Sequence, residues 1–451
     1  MLRHFSSIDR ALVRGYLIRT YPIAFSILNT LAMEAINTIV ITRMGICFAA
    51  YALCINALFN FFKKINTGIS VSVSLLTARS MHKKNYRKAM QILQHALFLN
   101  LFLASVFFLI LVGYSFYLES SKPPHPIDVG QRSYLLLLAI ALIPSAVNTM
   151  IRRYLEGISR EKIGLKLAFF TLITNIIFNF LLCGKSKVPF PGLKGVGISI
   201  VLSEMLTAII GMSYIRHTLQ LQGCTMRLQF NQISWRYIKA ILSIGGPIGL
   251  QFGIEGGYLF LITFIIGKIG MEEQATHAIV FNICQLVTIF SIGLGISGAM
   301  YVAQQHRSHN ICIVRKVALT ACLMIELVSL ITGCILLALG PYIFTFYKAE
   351  GRVNVFVCEL INHLFLFQLF YSISHWGSSV LRGLNDKTFP LICSTFTQLI
   401  GISMCYFLIL KNKWGINWGI NGVWMTLILE RMVLSLLLLM RFEWKTKTKT
   451  T

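Results

Sequence analysis

The chain has 451 residues, 56% of them hydrophobic and only 13% charged, with a mean hydropathy of +0.70. A soluble domain carries about twice that share of charge, so a soluble enzyme or binding module is excluded. The net charge of +25 does not argue for a nucleic-acid partner, because the basic residues gather in short segments between apolar runs, where they face anionic lipid.

Taken in chain order, the apolar runs predict twelve membrane-spanning helices, over 21–42, 46–78, 89–113, 133–151, 163–183, 193–215, 241–267, 274–303, 317–340, 355–381, 388–410 and 416–440. Arg3, Arg10, Arg14 and Arg19 precede the first run. Arg79, Lys83, Lys84, Arg87 and Lys88 follow the second, and Arg152, Arg153, Arg160, Lys162 and Lys166 surround the loop after the fourth. By the positive-inside rule these segments lie in the cytoplasm, so a multi-pass chain of the inner membrane with both termini cytoplasmic is expected. The first twenty residues, "MLRHFSSIDRALVRGYLIRT", have dispersed arginines and no short apolar core before a small-residue cleavage site, and read as an amphipathic lead into the first span. Eleven cysteines are scattered without a CxxC pair, so neither a disulfide framework nor a zinc site is expected.

The sequence repeats itself at a spacing of about 226 residues. Pro22-Ile23 with Arg43-Met44-Gly45 matches Pro247-Ile248 with Lys268-Ile269-Gly270. Ala52 and Asn56 match Ala278 and Asn282, and "GIS" at 68–70 matches "GIS" at 295–297. Leu155-x-Gly157 matches Leu381-x-Gly383, and "GLKGVGISIVL" (192–202) matches "GINGVWMTLIL" (419–429). Six spans separate equivalent positions, so the halves, 1–220 and 221–451, have the same orientation and are expected to be related by an axis along the membrane normal. Paired halves of this kind are typical of secondary transporters. No GxxxxGK[ST], HExxH or GxSxG motif occurs and no loop is long enough for a soluble catalytic domain, which points away from an enzyme.

The ordered set "YPIAFSILNTLAMEAINTIVITRMG", "YLEGISREKIG", "TNIIFNFLLC", "GLKGVGIS", "GPIGLQFGIEGG" and "GSSVLRGLNDKT" resembles the MATE (multidrug and toxic compound extrusion) family, particularly its bacterial sodium- or proton-coupled branch. The resemblance implies an all-α polytopic membrane protein of twelve helices in two pseudo-symmetric six-helix bundles around a central cleft. It implies exchange of a cation, H+ or Na+, for an amphipathic and often cationic organic molecule, and kinship with flippases of lipid-linked saccharides. The family's acidic position in the seventh span falls on Glu255, and its fifth-span asparagines fall on Asn175 and Asn179. Two positions depart: the first-span aspartate is Asn37, one turn after Glu34, and the tenth-span aspartate is Tyr371.

The residues themselves support a site reading. Glu255 lies in an apolar, glycine-rich run, where an unpaired carboxylate costs about 2.5–3.5 kcal/mol or more. Gly245, Gly249, Gly253 and Gly257 form a small-residue stripe for close helix approach, and at 100° per residue Glu255 points away from it. A carboxyl so placed suits taking up and releasing a coupling proton. Glu34 and Asn37 share one helix face, as do Asn175 and Asn179, and together they suggest a polar pocket in the first half. Lys63 and Lys64 lie deep in the second span; facing the cleft, they would disfavour cationic substrates and favour anionic ones. Glu204, Glu326, Glu430 and Arg431 are further embedded charges, expected near span ends with structural roles, and His277 and His375 are expected at helix ends.

The resulting expectation is a secondary antiporter exporting amphipathic drug-like or toxic organic molecules by rocking of two bundles, with Glu255, Glu34 and Asn37 in cation coupling. Asn175, Asn179, Tyr371, Lys63 and Lys64 would line the substrate cleft. Its partners would be the lipid bilayer and a small organic substrate, with no nucleic acid and no cofactor beyond the coupling ion, and the chain would act as a monomer. The alternatives are a flippase-like transporter of an anionic lipid-linked substrate and a transport-inactive scaffold of the same fold.

Overall fold

The computed structural model describes residues 10–42, 46–81, 85–120, 129–183, 192–221, 234–267, 269–305, 311–346, 352–409 and 418–447. They form twelve α-helices: α1 (Arg10–Thr42), α2 (Ile46–Met81), α3 (Tyr86–Ser120), α4 (Val129–Gly157), α5 (Glu161–Cys183), α6 (Leu193–Leu221), α7 (Trp235–Gly267), α8 (Met271–Gln305), α9 (Ile311–Phe346), α10 (Arg352–Gly383), α11 (Thr388–Ile409) and α12 (Gly419–Lys447). Helix is the dictated choice, since in hydrocarbon every backbone N–H and C=O must be satisfied within its own segment. Each expected span has its helix. Most helices outrun the apolar stretch that announced them: α4 was expected over 133–151 and α12 over 416–440, and both continue as polar-ended helix. Hydropathy marks the hydrocarbon layer, and hydrogen bonding carries the helix past it.

Among the described residues, ten helices hold an apolar stretch long enough to cross a membrane. The other two, α2 and α10, are the ones carrying Lys63 and Lys64, and Gln368, Ser372, Ser374 and His375. Burial sorts the rest into inner and outer helices. The spanning windows of α4 and α8 are 72% and 67% buried, those of α5 and α9 only 22% each. On α5 the exposed residues Phe169, Ile173, Ile176 and Phe180 recur at helical spacing, an apolar stripe turned outward. A soluble helix would turn that stripe inward, so this is a lipid-facing surface.

The chain divides into two compact units, one of Phe25–Gly253, the other of Ile254 onward together with α1 up to Ala24. The division therefore falls within α1 and α7 and not in the segment near residue 220. Each unit repeats the same internal contacts. In the first, a Cβ on Gly68 of α2 would lie 2.6 Å from the Cα of Gly249 in α7. In the second, a Cβ on Gly293 of α8 would lie 2.8 Å from the Cβ of Ala24 in α1. The helix pairs are equivalent in the repeat and Ala24 matches Gly249, although the repeat aligns Gly68 with Gly295, two residues beyond Gly293. The glycine stripe of α7 has its expected use: a Cβ on Gly245, Gly249 or Gly253 would fall 2.6, 2.6 or 2.8 Å from Ile69 or Ile65 of α2. At Gly68 the obstructing atoms are backbone and cannot swing aside. Gly68→Ala is expected to lose about 1–3 kcal/mol by overpacking. In thermal melts of detergent-purified protein it should fall well below Gly113→Ala, whose Cβ meets nothing within 4 Å.

The ends of α4 and α10 are a second matched pair. Ser159 (φ 60°) and Asn385 (φ 65°) adopt the left-handed conformation. The N–H groups of Arg160 and Asp386 then donate to the carbonyls of Leu155 and Leu381, each at 2.8 Å. This is the Schellman helix stop. The cap aims Asp386 at α12, where its Oδ2 accepts from Arg441 Nε at 3.0 Å and lies 3.1 Å from Lys445 Nζ. Burial alone would raise the Asp386 carboxyl; hydrogen bonds and charge from Lys445 and Arg441 outweigh it and hold the group below the ordinary carboxylate range. With its folded value depressed, the stabilisation is complete above the unfolded value of about 3.9 and fades as pH falls through the lower folded value. Asp386→Asn should cost about 1–2 kcal/mol at neutral pH, and melts from neutral to acid pH should show a shallower acid-side loss than the parent.

Candidate functional site

In the Ile254-onward unit, three helices bring the embedded charges together. α7 presents Glu255, α12 presents Glu430 and Arg431, and α10 presents Tyr371. Arg431 Nη2 donates to Glu255 Oε1 at 2.7 Å. Its Nε lies 3.0 Å from Glu430 Oε2, and its guanidinium carbon sits 5.1 Å from the centre of the Tyr371 ring. The other Glu430 oxygen, Oε1, accepts from Thr397 Oγ1 of α11 at 3.0 Å. Tyr371 stacks between Phe367 and His375 along its own helix.

The two carboxylates are not equivalent. The Glu430 side chain is 1% exposed and that of Arg431 is 8%, whereas Glu255 is 23% exposed. Glu430 is the fixed counter-charge, sequestered with a hydroxyl donor; Glu255 is the more exposed of the two carboxylates. Should Glu255 take a proton, Arg431 still has Glu430 beside it, so no buried charge is orphaned. An isolated pair would lack that property, because breaking a buried pair leaves a bare charge.

The other unit holds the asparagines. Asn179 of α5 donates from Nδ2 to Asn37 Oδ1 of α1 at 2.7 Å and to Asn175 Oδ1 at 3.1 Å. All three side chains are buried. The three amides thus form one hydrogen-bonded cluster. Glu34, one turn away on α1, turns to α2, where Lys63 Nζ lies 3.1 Å from its Oε1. Lys63 also stands 5.7 Å from the centre of the Phe59 ring, while Lys64 is partly buried.

The repeat relates the two sites and shows where they diverge. Thr30 occupies the position in α1 that Glu255 occupies in α7, and both accept from an arginine. Thr30 Oγ1 takes Nη1 of Arg152 from α4 at 3.1 Å, whereas Glu255 takes Arg431 from α12. The counterpart of Arg431 is Glu204 of α6, which Asn148 binds through Nδ2 at 2.6 Å.

The family model MatE matches this chain twice, over residues 22–181 and again over 247–407. The two matches lie one repeat apart and together cover most of the chain. The chain belongs to the MatE family.

Multidrug resistance protein MdtK of Edwardsiella ictaluri is 24% identical over 298 residues, 65% of this chain and 65% of that relative. A probable multidrug resistance protein NorM of Xylella fastidiosa is 22% identical over 377 residues, 83% of this chain and 80% of the relative. Among solved structures, a MOP-superfamily transporter from Pyrococcus furiosus, described as having a binding pocket of reverse polarity, superimposes with a TM-score of 0.84 at 15% identity, covering 97% of this chain and 96% of that one. A MATE transporter in complex with MaL6 gives 0.85 at 16% identity, with 96% of each chain covered. At such identity these structures speak for the fold alone: the MatE chain is a multi-pass helical membrane protein.

Of the expected site residues, Glu255 and Tyr371 are brought into one cluster, while Asn37, Asn175 and Asn179 form another, with Glu34 and Lys63 paired beside it. The expected helix-end placement of Glu430 and Arg431 is corrected. α12 runs on to Lys447, which puts both residues in the middle of a helix, and Arg431 is the partner of Glu255. His375 is likewise not at a helix terminus; it packs on Tyr371, two turns before α10 ends.

Proposed function

We propose that this MatE-family chain is a secondary antiporter that exports amphipathic organic molecules in exchange for a proton taken up at Glu255. The observation that carries the reading is the asymmetric triad, in which Arg431 stays compensated by Glu430 whatever the charge on Glu255. Proton uptake neutralises Glu255 and loosens its hold on Arg431 and hence on α12; proton release restores it. A cationic substrate that needs the ionised carboxylate and a proton that cancels its charge exclude one another, and alternation between inward and outward access then couples the two movements. The family's multidrug relatives support a drug-like substrate. In this reading the chain works as a monomer in the inner membrane with both termini in the cytoplasm. The amide trio of Asn37, Asn175 and Asn179 serves binding, since it has no titratable group.

The anionic, lipid-linked alternative drew on an adjacent pair of lysines. Lys63 is matched by Glu34, which removes half of that motive. A direct test follows a fluorescent amphipathic cation in cells expressing the chain. Accumulation should fall several-fold against vector controls and return when a protonophore collapses the gradient. Equal accumulation with and without the chain, across a panel of amphiphiles, would sink the antiport reading.

A further inference from the structure

Beside the helix stop of α10, one guanidinium is held by three neighbours and left open at its far edge. Arg441 of α12 donates from Nε to Asp386 at 3.0 Å, and its guanidinium carbon lies 4.8 Å from the Phe389 ring centre and 4.6 Å from that of Trp444. Phe389 belongs to the first turn of α11, where unpaired N–H groups favour an anion nearby. Among the described residues, Nη1 and Nη2 of Arg441 make no hydrogen bond, and neither atom is buried. The Arg441 side chain is 30% exposed and that of Asp386 only 5%, so the carboxylate lies beneath and the fork meets the surface. A planar fork already fixed by a carboxylate and two aromatic rings suits bidentate capture of a phosphate.

The surroundings carry a surplus of positive charge. Asp386 also has Lys445 at 3.1 Å, and the next carboxylate along α12, Glu443, has Arg315 of α9 at 3.0 Å and Lys447 at 3.4 Å. Four cations thus stand around two carboxylates. Arg441 is the first residue past the apolar run expected to end at 440, and the exposed Trp444 beside it is of the kind that sits at headgroup level. On α11 the exposed Ile392, Phe396 and Leu399 continue, at helical spacing, the face that Phe389 begins, and give an acyl chain an apolar track.

The helix stop itself does not require a guanidinium on α12. In the other unit the repeat places Arg160 at the position of Asp386 and Tyr214 at that of Arg441. There a neutral phenol closes the same contact, accepting from Arg160 Nη1 at 2.9 Å.

We propose that Arg441, with Lys445 and Trp444 beside it, forms a headgroup site for an anionic phospholipid, taking the phosphate on its Nη edge while an acyl chain lies along α11. The site is separate from the Glu255 cluster, and failure of the antiport reading would leave it untouched.

The test is native mass spectrometry of the full chain in detergent, titrated with phosphatidylglycerol and, separately, with phosphatidylethanolamine of the same acyl chains. Wild-type protein should bind the anionic lipid more tightly. Arg441→Gln should lose about tenfold in affinity for it, as expected when charge-assisted hydrogen bonds are removed. Lys447→Gln, which takes an equal charge from the same surface, should lose much less. Arg441→Lys keeps a cation opposite Asp386 and covers the case in which the glutamine variant does not fold; without the planar fork it too should lose most of the preference. Millimolar inorganic phosphate should leave the lipid bound, and displacement would make this a free-phosphate site and overturn the lipid assignment. Equal binding of both lipids by the wild type overturns it as well, as does an unchanged preference in the Arg441 variants or an equal loss in Lys447→Gln.

Discussion

Replacing Arg431 with methionine should remove about 3–5 kcal/mol of stability, the cost of leaving a buried carboxylate without its counter-charge. The burden falls on Glu430, whose side chain is 1% exposed and which accepts a hydrogen bond from the Thr397 hydroxyl. Methionine fills much of the arginine's volume, so the loss reports charge more than packing. The corresponding double variant, Arg431→Met with Glu430→Gln, should recover more than half of it, since a neutral amide needs hydrogen bonds but no counter-charge. Thermal melts of the two single variants and the double give the coupling energy directly. Near-additivity would mean that the 3.0 Å approach of Arg431 to Glu430 contributes little.

Glu255→Gln should do the opposite: little to stability, everything to coupling. Glutamine keeps the shape of the side chain, and its Oε1 can still accept from Arg431 Nη2, while Arg431 retains Glu430. With that hydrogen bond kept and Arg431 still paired, a stability change within about 1 kcal/mol is expected. What glutamine cannot do is exchange a proton. Substrate-coupled proton flux should therefore fall to background in a protein that melts like its parent. Glu34→Gln is the informative contrast, because it disrupts a pair that is more open to solvent, with Glu34 38% and Lys63 18% exposed.

Much of this was legible in the sequence, for identifiable reasons. Apolar runs of membrane length bounded by basic loops fix twelve helices, because lipid allows so few other structures. The repeat announced itself through residues that geometry constrains: Gly157 and Gly383 at matched helix stops, Gly68 and Gly249 at a backbone contact, Pro22 and Pro247 in matched helices. The direction of Glu255, away from the glycine seam, followed from helical phase alone. Its partner did not. Arg431 is 176 residues away in sequence, and nothing in the order of residues says which embedded charges meet. Hydropathy also placed the end of α12 too early, which made Glu430 and Arg431 look peripheral. Lys63 misled in the other direction: read alone it is a stray cation, but opposite Glu34 it is half of a pair. The Asn37 substitution was visible, yet its consequence, an amide trio without a titratable member, needed the 2.7 Å contact with Asn179.

The most direct test of the account is proton flux in proteoliposomes containing the purified chain, followed with an internal pH dye while an amphipathic organic cation is added. Wild-type vesicles should show substrate-dependent proton movement that persists when sodium is replaced by choline, and Glu255→Gln vesicles should show none. Retained coupled flux in Glu255→Gln would contradict the central role given to that carboxylate.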